Sequence, residues 1–333
     1  MKTSSTKAVS RFHWAAALVI AAMTAALLPE PNANAATPHK KGTICPPCRT
    51  TTLLTYQSEM VDATAEFLLA KAKASSLEAA EERKEATQEA LADYKEARQQ
   101  VREQYYARLA ICKMLAECRY DPVIDPADFL TPAQIAAAPN PYFPLVPGRL
   151  YRYQNVGDAG TEITEVRVTR ETRMIQGVTC IEVRDTVSGP DGLVEDTRDW
   201  YAQDKDGNVW YFGELVLNYL NGDIVNLDGS WEAGVDGAKP GIAMKATPKV
   251  GDVYRQEYLI GDAEDSARIV ALDETVAVIH GTFARCWKIA EFLPFEPDTV
   301  EDPPHKYYAP GIGFILELKP DGEREELIAI ETF

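Results

Sequence analysis

The sequence predicts an α+β protein: a long N-terminal helical hairpin followed by an antiparallel β-rich barrel, half-barrel or sandwich built from two similar modules. Three observations carry this. Of the 20 glycines, Gly42 stands alone before residue 148 and the other 19 lie from Gly148 onward. Between Pro47 and Pro122 there is no proline either, so neither helix-breaking residue interrupts that stretch. From Gly148 onward the chain carries short alternating or aromatic runs separated by Gly, Asp and Asn, as at 162–168, 179–183, 209–212, 268–272 and 314–318. That is the pattern of half-buried strands and turns.

In chain order, residues 1–35 come first. Lys2, Lys7 and Arg11 make a basic start, residues 14–28 a short apolar run, and Ala33-Asn34-Ala35 a small-x-small cleavage signature. Together these predict a secretory signal peptide. An apolar run of about 15 residues falls short of the roughly 20 that span a bilayer, which makes a retained membrane anchor the weaker reading. No cysteine sits at the expected cut, which argues against lipid attachment there. The expected mature chain starts near Ala36 and is periplasmic or secreted. The formal charge of −17 becomes about −19 once three basic residues and Glu30 are removed. That sign argues against nucleic acid and anionic lipid surfaces as partners.

The helical hairpin is expected over residues 36–120. Residues 78–108 are rich in Ala, Glu, Lys, Gln and Arg, and Leu77, Leu91, Tyr94, Val101, Tyr105, Cys112 and Leu115 fall on three-and-four spacing. Residues 53–73 have their own stripe in Leu53, Met60, Thr64, Phe67 and Lys71, and Ser75-Ser76 offers the break. Residues 121–147 contain seven prolines, from Pro122 to Pro147. They predict a linker packed along the next domain, with at most one short helix at 132–138.

The β-rich domain is expected over 148–333, with modules at 148–232 and 250–333. Val146-Pro147-Gly148-Arg149-Leu150-Tyr151-Arg152 matches Val250-Gly251-Asp252-Val253-Tyr254-Arg255 apart from the extra proline. Cys180 then pairs with Cys286, and Trp200-Tyr201-Ala202 with Tyr307-Tyr308-Ala309. The offsets drift one way, from 103 to 106 to 107 residues, as loop insertions would make them. Two curved sheets joined across a pseudo-twofold axis are the expected outcome.

Two segments carry a resemblance. Tyr308-Ala309-Pro310-Gly311-Ile312-Gly313, together with Asp199-Trp200-Tyr201-Ala202-Gln203-Asp204 and the following Gly207–Glu214 run, resembles an uncharacterised exported bacterial β-rich family similar in shape to lipoprotein-carrier half-barrels. The resemblance spans residues 148–333. It implies a fold and no catalytic residues.

Six cysteines in an exported chain read first as disulfides. Pro46-Pro47 is expected to hold Cys45 and Cys48 in polyproline II, about 9 Å apart on one side. Cys112 and Cys118 are also about 9 Å apart along a helix, which suggests Cys45 with Cys118 and Cys48 with Cys112. Six helical residues turn through about 240°, so the helix is expected to unwind near its end. A redox dithiol at Cys-Pro-Pro-Cys is weaker because no strand precedes it, and four-thiolate zinc is weaker because a helix keeps Cys112 from Cys118. Cys180 and Cys286, equivalent in the two modules, are expected to bond beside the pseudo-twofold axis.

Three groups of residues could carry chemistry. Asp204, Asp206 and Asn208 alternate as oxygen ligands do in a calcium loop, although Leu215 occupies the place of an EF-hand glutamate and a hairpin turn explains the same residues. No cofactor is required; calcium is the candidate ion. Trp200, Tyr201, Trp210, Tyr211, Trp231, Tyr254, Tyr258, Tyr307 and Tyr308 form either a stacking surface or an aromatic core. His305, with Glu257, Glu264 or Asp265 as neighbours, is the candidate general base. The leading expectation is a non-enzymatic exported protein that binds a lipid, glycan or peptide in a β-rich cradle, with the hairpin as an arm for a protein partner. A secreted hydrolase using His305, Glu257 and Asp265 and a structural envelope protein are the alternatives. Convergence of those three residues on a concave surface discriminates the first two.

Overall fold

A computed structural model describes residues 44–157 and 160–333. The expected signal peptide lies outside the described residues.

Helix α1 spans Pro46–Ser75 and α2 spans Ala80–Leu115. The hairpin is as the missing glycines and prolines predicted, but its start differs. Cys45 is the N-cap and Pro46 and Pro47 occupy the first helical turn, not a polyproline stretch. Proline has the same φ in both conformations and lacks only an N–H that the first turn leaves unbonded anyway. The 3.1 Å bond from Arg49 N–H to Cys45 O closes the turn. At the other end Ala116 adopts a left-handed conformation, φ 52°, and its N–H returns to Cys112 O. The helix therefore stops before Cys118. Cys45 bonds Cys118 and Cys48 bonds Cys112, with Cα separations of 5.0 and 6.1 Å.

The seam between the helices is narrower than the apolar stripes suggested. Ala63, Ala74, Ala90, Val101 and Ala107 are buried, whereas Leu53, Leu77 and Leu91 are exposed. Small residues let the helices approach, and Phe67 stacks on Tyr94 at 4.6 Å. On the barrel side, Ile111 of α2 packs with Ala290 and Phe292. Arg108 of α2 joins Glu59 of α1 at 3.0 Å and Glu264 of the barrel at 2.9 Å.

The strands are β1 Arg149–Gly157, β2 Gly160–Ile175, β3 Val178–Gly189, β4 Gly192–Gln203, β5 Val209–Leu220, β6 Asp223–Asn226, β7 Trp231–Glu232 and β8 Lys239–Met244. They continue as β9 Val253–Arg255, β10 Glu257–Tyr258, β11 Ser266–Val278, β12 Gly281–Phe292, β13 His305–Ala309, β14 Gly313–Leu318 and β15 Arg324–Thr332. Thirteen of them form an antiparallel path, β10-β8-β5-β4-β3-β2-β1-β15-β14-β13-β12-β11-β9, with β6 and β7 attached to β5. The run 253–258 closes this path into a near-barrel: its first half pairs with β11 and its second with β8. Gly241 of β8 makes the closure feasible, since a Cβ there would sit 2.2 Å from Gln256 O. A nearly closed barrel thus replaces the half-barrel and sandwich alternatives.

Residues 121–147 do pack along the barrel. Helix α3, Pro132–Ala137, is fixed by a Thr131/Gln134 capping box, and Ile135 and Leu145 are fully buried in the barrel core. Asn140 N–H donates to Gln203 Oε1 and Gly311 N–H to Pro141 O, tying this strap to β4 and to the β13–β14 turn.

The expected bond between Cys180 and Cys286 does not form; both are free, buried thiols. The strand order gives the reason. Five strands separate β3 from β12, about 29 Å along the wall. Each thiol packs instead against its own strand, Cys180 toward Val178 O and Cys286 toward Phe283 O.

Candidate functional site

Alternation along a barrel strand sends every second side chain into the lumen. Here the inward set includes one charged residue from strand after strand. Asp185 on β3, Asp199 on β4, Glu214 on β5 and Glu257 on β10 follow one another around the wall; Asp199 raises the proton affinity of the other three, and Glu214 that of Glu257. Asp265, Glu291, Glu317 and Glu325 complete the girdle, with Lys306 of β13 between Glu291 and Glu317.

The girdle is only partly neutralised. Lys306 Nζ lies 2.7 Å from Glu291 Oε2. Tyr211 OH donates to Asp199 Oδ1, and Thr164 Oγ1 donates to Glu325 Oε1, each at 2.5 Å. Asp185 Oδ1 is sealed from solvent and has no hydrogen-bond partner. Burial pushes the Asp199 and Asp265 carboxyls up to about 7, with Glu195 adding to the first and Glu291 to the second. Burial also holds Asp185, Glu214 and Glu257 well above the ordinary carboxylate range. Burial alone would lower Lys306, but Glu291 and Glu317 keep it above the usual lysine value.

Beside the girdle lies a cavity of about 260 Å³. Asp185, Asp199, Glu317, Glu325 and Lys306 line it, and Tyr151, Tyr153, Tyr201, Tyr308 and Phe314 supply its rings. Phe143, Pro144 and Leu145 of the strap form another part of its wall. A second cavity, about 580 Å³, shares Lys306 and Glu317 with the first and is lined by Asp265, Glu296, Asp298 and Asp302. A third, about 500 Å³, lies between hairpin and barrel. Three of the four cations that line it are already engaged: Arg255 with Glu117, Lys239 with Asp121, and Arg108 with its two glutamates.

The expected aromatic surface divides. Tyr201 and Tyr308 line the lumen, and Tyr211 stacks on Tyr201 at 4.5 Å. Trp231 meets Tyr211 edge-on at 5.3 Å and belongs to the core, as does Tyr254. Trp200 faces away from the lumen beneath the Arg173 guanidinium, 4.3 Å from its ring. Tyr307 lies near Lys288, and Tyr258 lies in the hairpin cleft near Arg255. Trp210 packs against Phe129.

Of the proposed catalytic set, Glu257 and Asp265 meet in the girdle and His305 does not join them. His305 precedes inward-facing Lys306 and so faces the outside of the wall. Burial lowers its pKa, and the neighbouring Lys288 and Arg268 lower it further. In the Asp204 loop, Asp204 Oδ1 accepts from Asn208 N–H, and Oδ2 accepts from Asn208 Nδ2 and Trp210 Nε1, all at 2.8 Å. Asn208 Oδ1 accepts from Ala246 N–H. These bonds build a hairpin turn. Sequence reasoning missed Asp185, Glu214, Glu291, Lys306, Glu317 and Glu325. Their signal was parity: Asp185 shares the phase of buried Val183, and Lys306 that of buried Tyr308.

No family model matches the chain, and no curated protein is similar to it in sequence at a meaningful level. Among solved structures, a "putative lipoprotein" from Parabacteroides distasonis is 14% identical over 57% of this chain and 98% of that chain, with a TM-score of 0.29. A likeness at that level carries no argument.

Proposed function

We propose that this is an exported, non-enzymatic binding protein whose barrel lumen holds a small polar organic ligand. The observation that carries the reading is the 260 Å³ cavity, in which aromatic walls converge with four carboxyl groups and one lysine. Pockets that hold small ligands combine rings with a few oriented polar groups in this way. The lumen's charge disfavours the lipid among the expected ligands, since an acyl chain would lie against Asp185 and Asp199. The separation of His305 from Glu257 and Asp265 supports binding over the hydrolase alternative. Two disulfides support export to an oxidising compartment, periplasmic or extracellular. Among the described residues no helix is long and apolar enough to cross a membrane.

The test is a thermal-shift panel of decanoate, N-acetylglucosamine, a tripeptide and alkylamines, run on wild type and on Val183→Trp, whose indole fills the cavity. At least one class is expected to raise the melting temperature of wild type alone. No rise with any class, or a rise that Val183→Trp retains, refutes lumen binding.

The hairpin supplies a second surface. Leu54, Val61 and Leu68, seven residues apart on α1, are 59, 66 and 58% exposed. This row supports reading the hairpin as an arm for a protein partner. A mass in light scattering that grows with concentration, and that Val61→Glu returns to monomer, would make the partner a second copy; a constant monomer removes self-association.

The barrel's two halves support the repeat. Gly148 N–H donates to Val168 O, and Gly251 N–H to Ile269 O, both at 2.8 Å and both at glycines with φ near 90°. We read β1–β5 and the corresponding β9 and β11–β14 as two copies related by rotation about the barrel axis. Equivalent positions then lie across the barrel, consistent with the separation of Cys180 from Cys286. An alignment of homologues in which the two halves match each other better than chance would test this; halves without similarity would remove it.

A further inference from the structure

We infer that the lumen ligand is a small organic cation, an amine or quaternary ammonium compound held between the carboxylates of Asp185 and Asp199 and the rings of Tyr153, Tyr201 and Tyr308. This ligand class presupposes the lumen binding proposed above.

Charge balance is the first reason. Asp185, Asp199, Glu317 and Glu325 line the cavity, and Lys306 is the sole basic residue among its lining residues. That lysine is already committed to Glu291. Ionising any of these carboxyls in place needs a counter-charge that the lining does not supply; a cation brings one, whereas a neutral sugar does not and an acid would be repelled.

The second reason is independent of the count. Asp185 Oδ1 is buried at the cavity wall with no donor, and a buried carboxylate oxygen without a partner is costly. With the carboxyl turned toward the cavity, an ammonium N–H, or the polarised methyl groups of a quaternary ammonium, would supply what the protein does not.

The third is ring placement. Tyr153 is tied by its hydroxyl to Phe314 O at 3.1 Å, and Tyr201 is braced by stacked Tyr211. Held rings beside carboxylates suit a cation, whose attraction to an aromatic face operates within about 6 Å of the centroid. The adjoining cavity, with Asp265, Glu296, Asp298 and Asp302, would concentrate cations beside the lumen. Finally, about 260 Å³ accommodates a molecule of choline's size and not a phospholipid.

The experiment is calorimetric titration of the signal-free chain with two matched pairs: choline against its uncharged isostere 3,3-dimethyl-1-butanol, and n-butylammonium against n-butanol. In at least one pair the cation is expected to bind tenfold or more tightly than its neutral partner. Asp185→Asn should reduce that preference at least tenfold while circular dichroism shows an unchanged fold. Equal binding within both pairs overturns the cation assignment and leaves lumen binding standing. No binding by any of the four compounds also overturns it, and the thermal-shift panel then judges lumen binding separately. The paired comparison uses the unaltered protein, so it does not depend on a variant folding.

Discussion

Raising the pH from 5 to 8 should weaken this protein substantially, because its lumen holds carboxyl groups that fold more readily with their protons on. Asp199 and Asp265 are raised by burial from 3.8 to about 7. Between those values the folded state binds protons that the unfolded chain has released, so stability falls as pH rises. A shift of about three units corresponds to about 4 kcal/mol per group, present in full below about pH 4 and gone above about pH 7. Asp185, Glu214, Glu257 and Glu325 shift the same way. Two effects oppose. His305 is lowered, so its contribution is lost as pH falls below its ordinary value, but it is a single partly exposed group. Glu165 and Asp252 are lowered by Arg152 and Lys245, and what they contribute disappears only in stronger acid. Urea unfolding followed by circular dichroism at both pH values measures the balance. The expected loss from pH 5 to pH 8 is several kcal/mol. Asp199→Asn should recover about 2–4 kcal/mol at pH 8 and little at pH 5, because its amide oxygen still accepts from Tyr211 and carries no charge. Equal stability at both pH values, or a variant weaker than wild type at pH 8, would refute the reasoning.

Peptide mapping without reduction should recover Cys45–Cys118 and Cys48–Cys112 with Cys180 and Cys286 alkylated as free thiols; a Cys45–Cys48 bond would overturn the pairing. Removing Cys45–Cys118 together with its partner bond should cost about 7 kcal/mol in the chain-entropy model, and removing one bond alone about 2–3, since the other still closes most of the loop. Asp204→Ala should lower stability by about 1–3 kcal/mol, because the buried donors of Asn208 and Trp210 lose their acceptor. The same bonds occupy the Asp204 oxygens, so the melting temperature is expected to match in calcium and in chelator; a calcium-dependent rise abolished by Asp206→Asn would instead make the loop an ion site. Arg108→Ala should cost about 3–5 kcal/mol by leaving Glu264 buried and unpaired, and proteolysis should then cut the hairpin faster than the barrel.

The parts of this structure that were legible in sequence are those decided by local chemistry. A chain of some seventy residues without glycine or proline had to be helical, and the cysteine spacings then selected their partners. What failed depended on long-range geometry. Pro46 and Pro47 suit a polyproline stretch and a helix start equally, and the deciding bond from Arg49 to Cys45 exists only once the helix does. The expectation of a Cys180–Cys286 bond treats matching sequence positions as neighbours in space, and only the strand order places five strands between them. The girdle was hidden for a simpler reason. Its acids are scattered over many strands among acids of the opposite phase, as Glu182 is to Asp185 and Asp196 to Asp199, and none stands out until the barrel closes and the parities align.

The polar lumen follows from barrel size. Around eight strands, a barrel's interior is just filled by side chains, and the diameter grows with strand number. A path of thirteen leaves more space than Ile135, Leu145 and the inward rings can fill. The cavity of about 260 Å³ is space left unfilled, and the carboxyls confined beside it retain protons near neutrality. Ligand and proton should then compete. At pH 7 Asp199, with a pKa of about 7, is about half protonated, and an ammonium bound beside it would favour the ionised form. Choline binding at pH 7 is therefore expected to release up to about half a proton from this group. Tyr211, Tyr201, Asp185, Glu195, Glu214 and, across the lumen, Lys306 and Glu325 share the same field, so the release belongs to the cluster. Titrations in buffers of differing ionisation enthalpy would show it as a buffer-dependent heat. Heat independent of buffer at pH 7, in a protein that does bind choline, would place the cation away from the girdle.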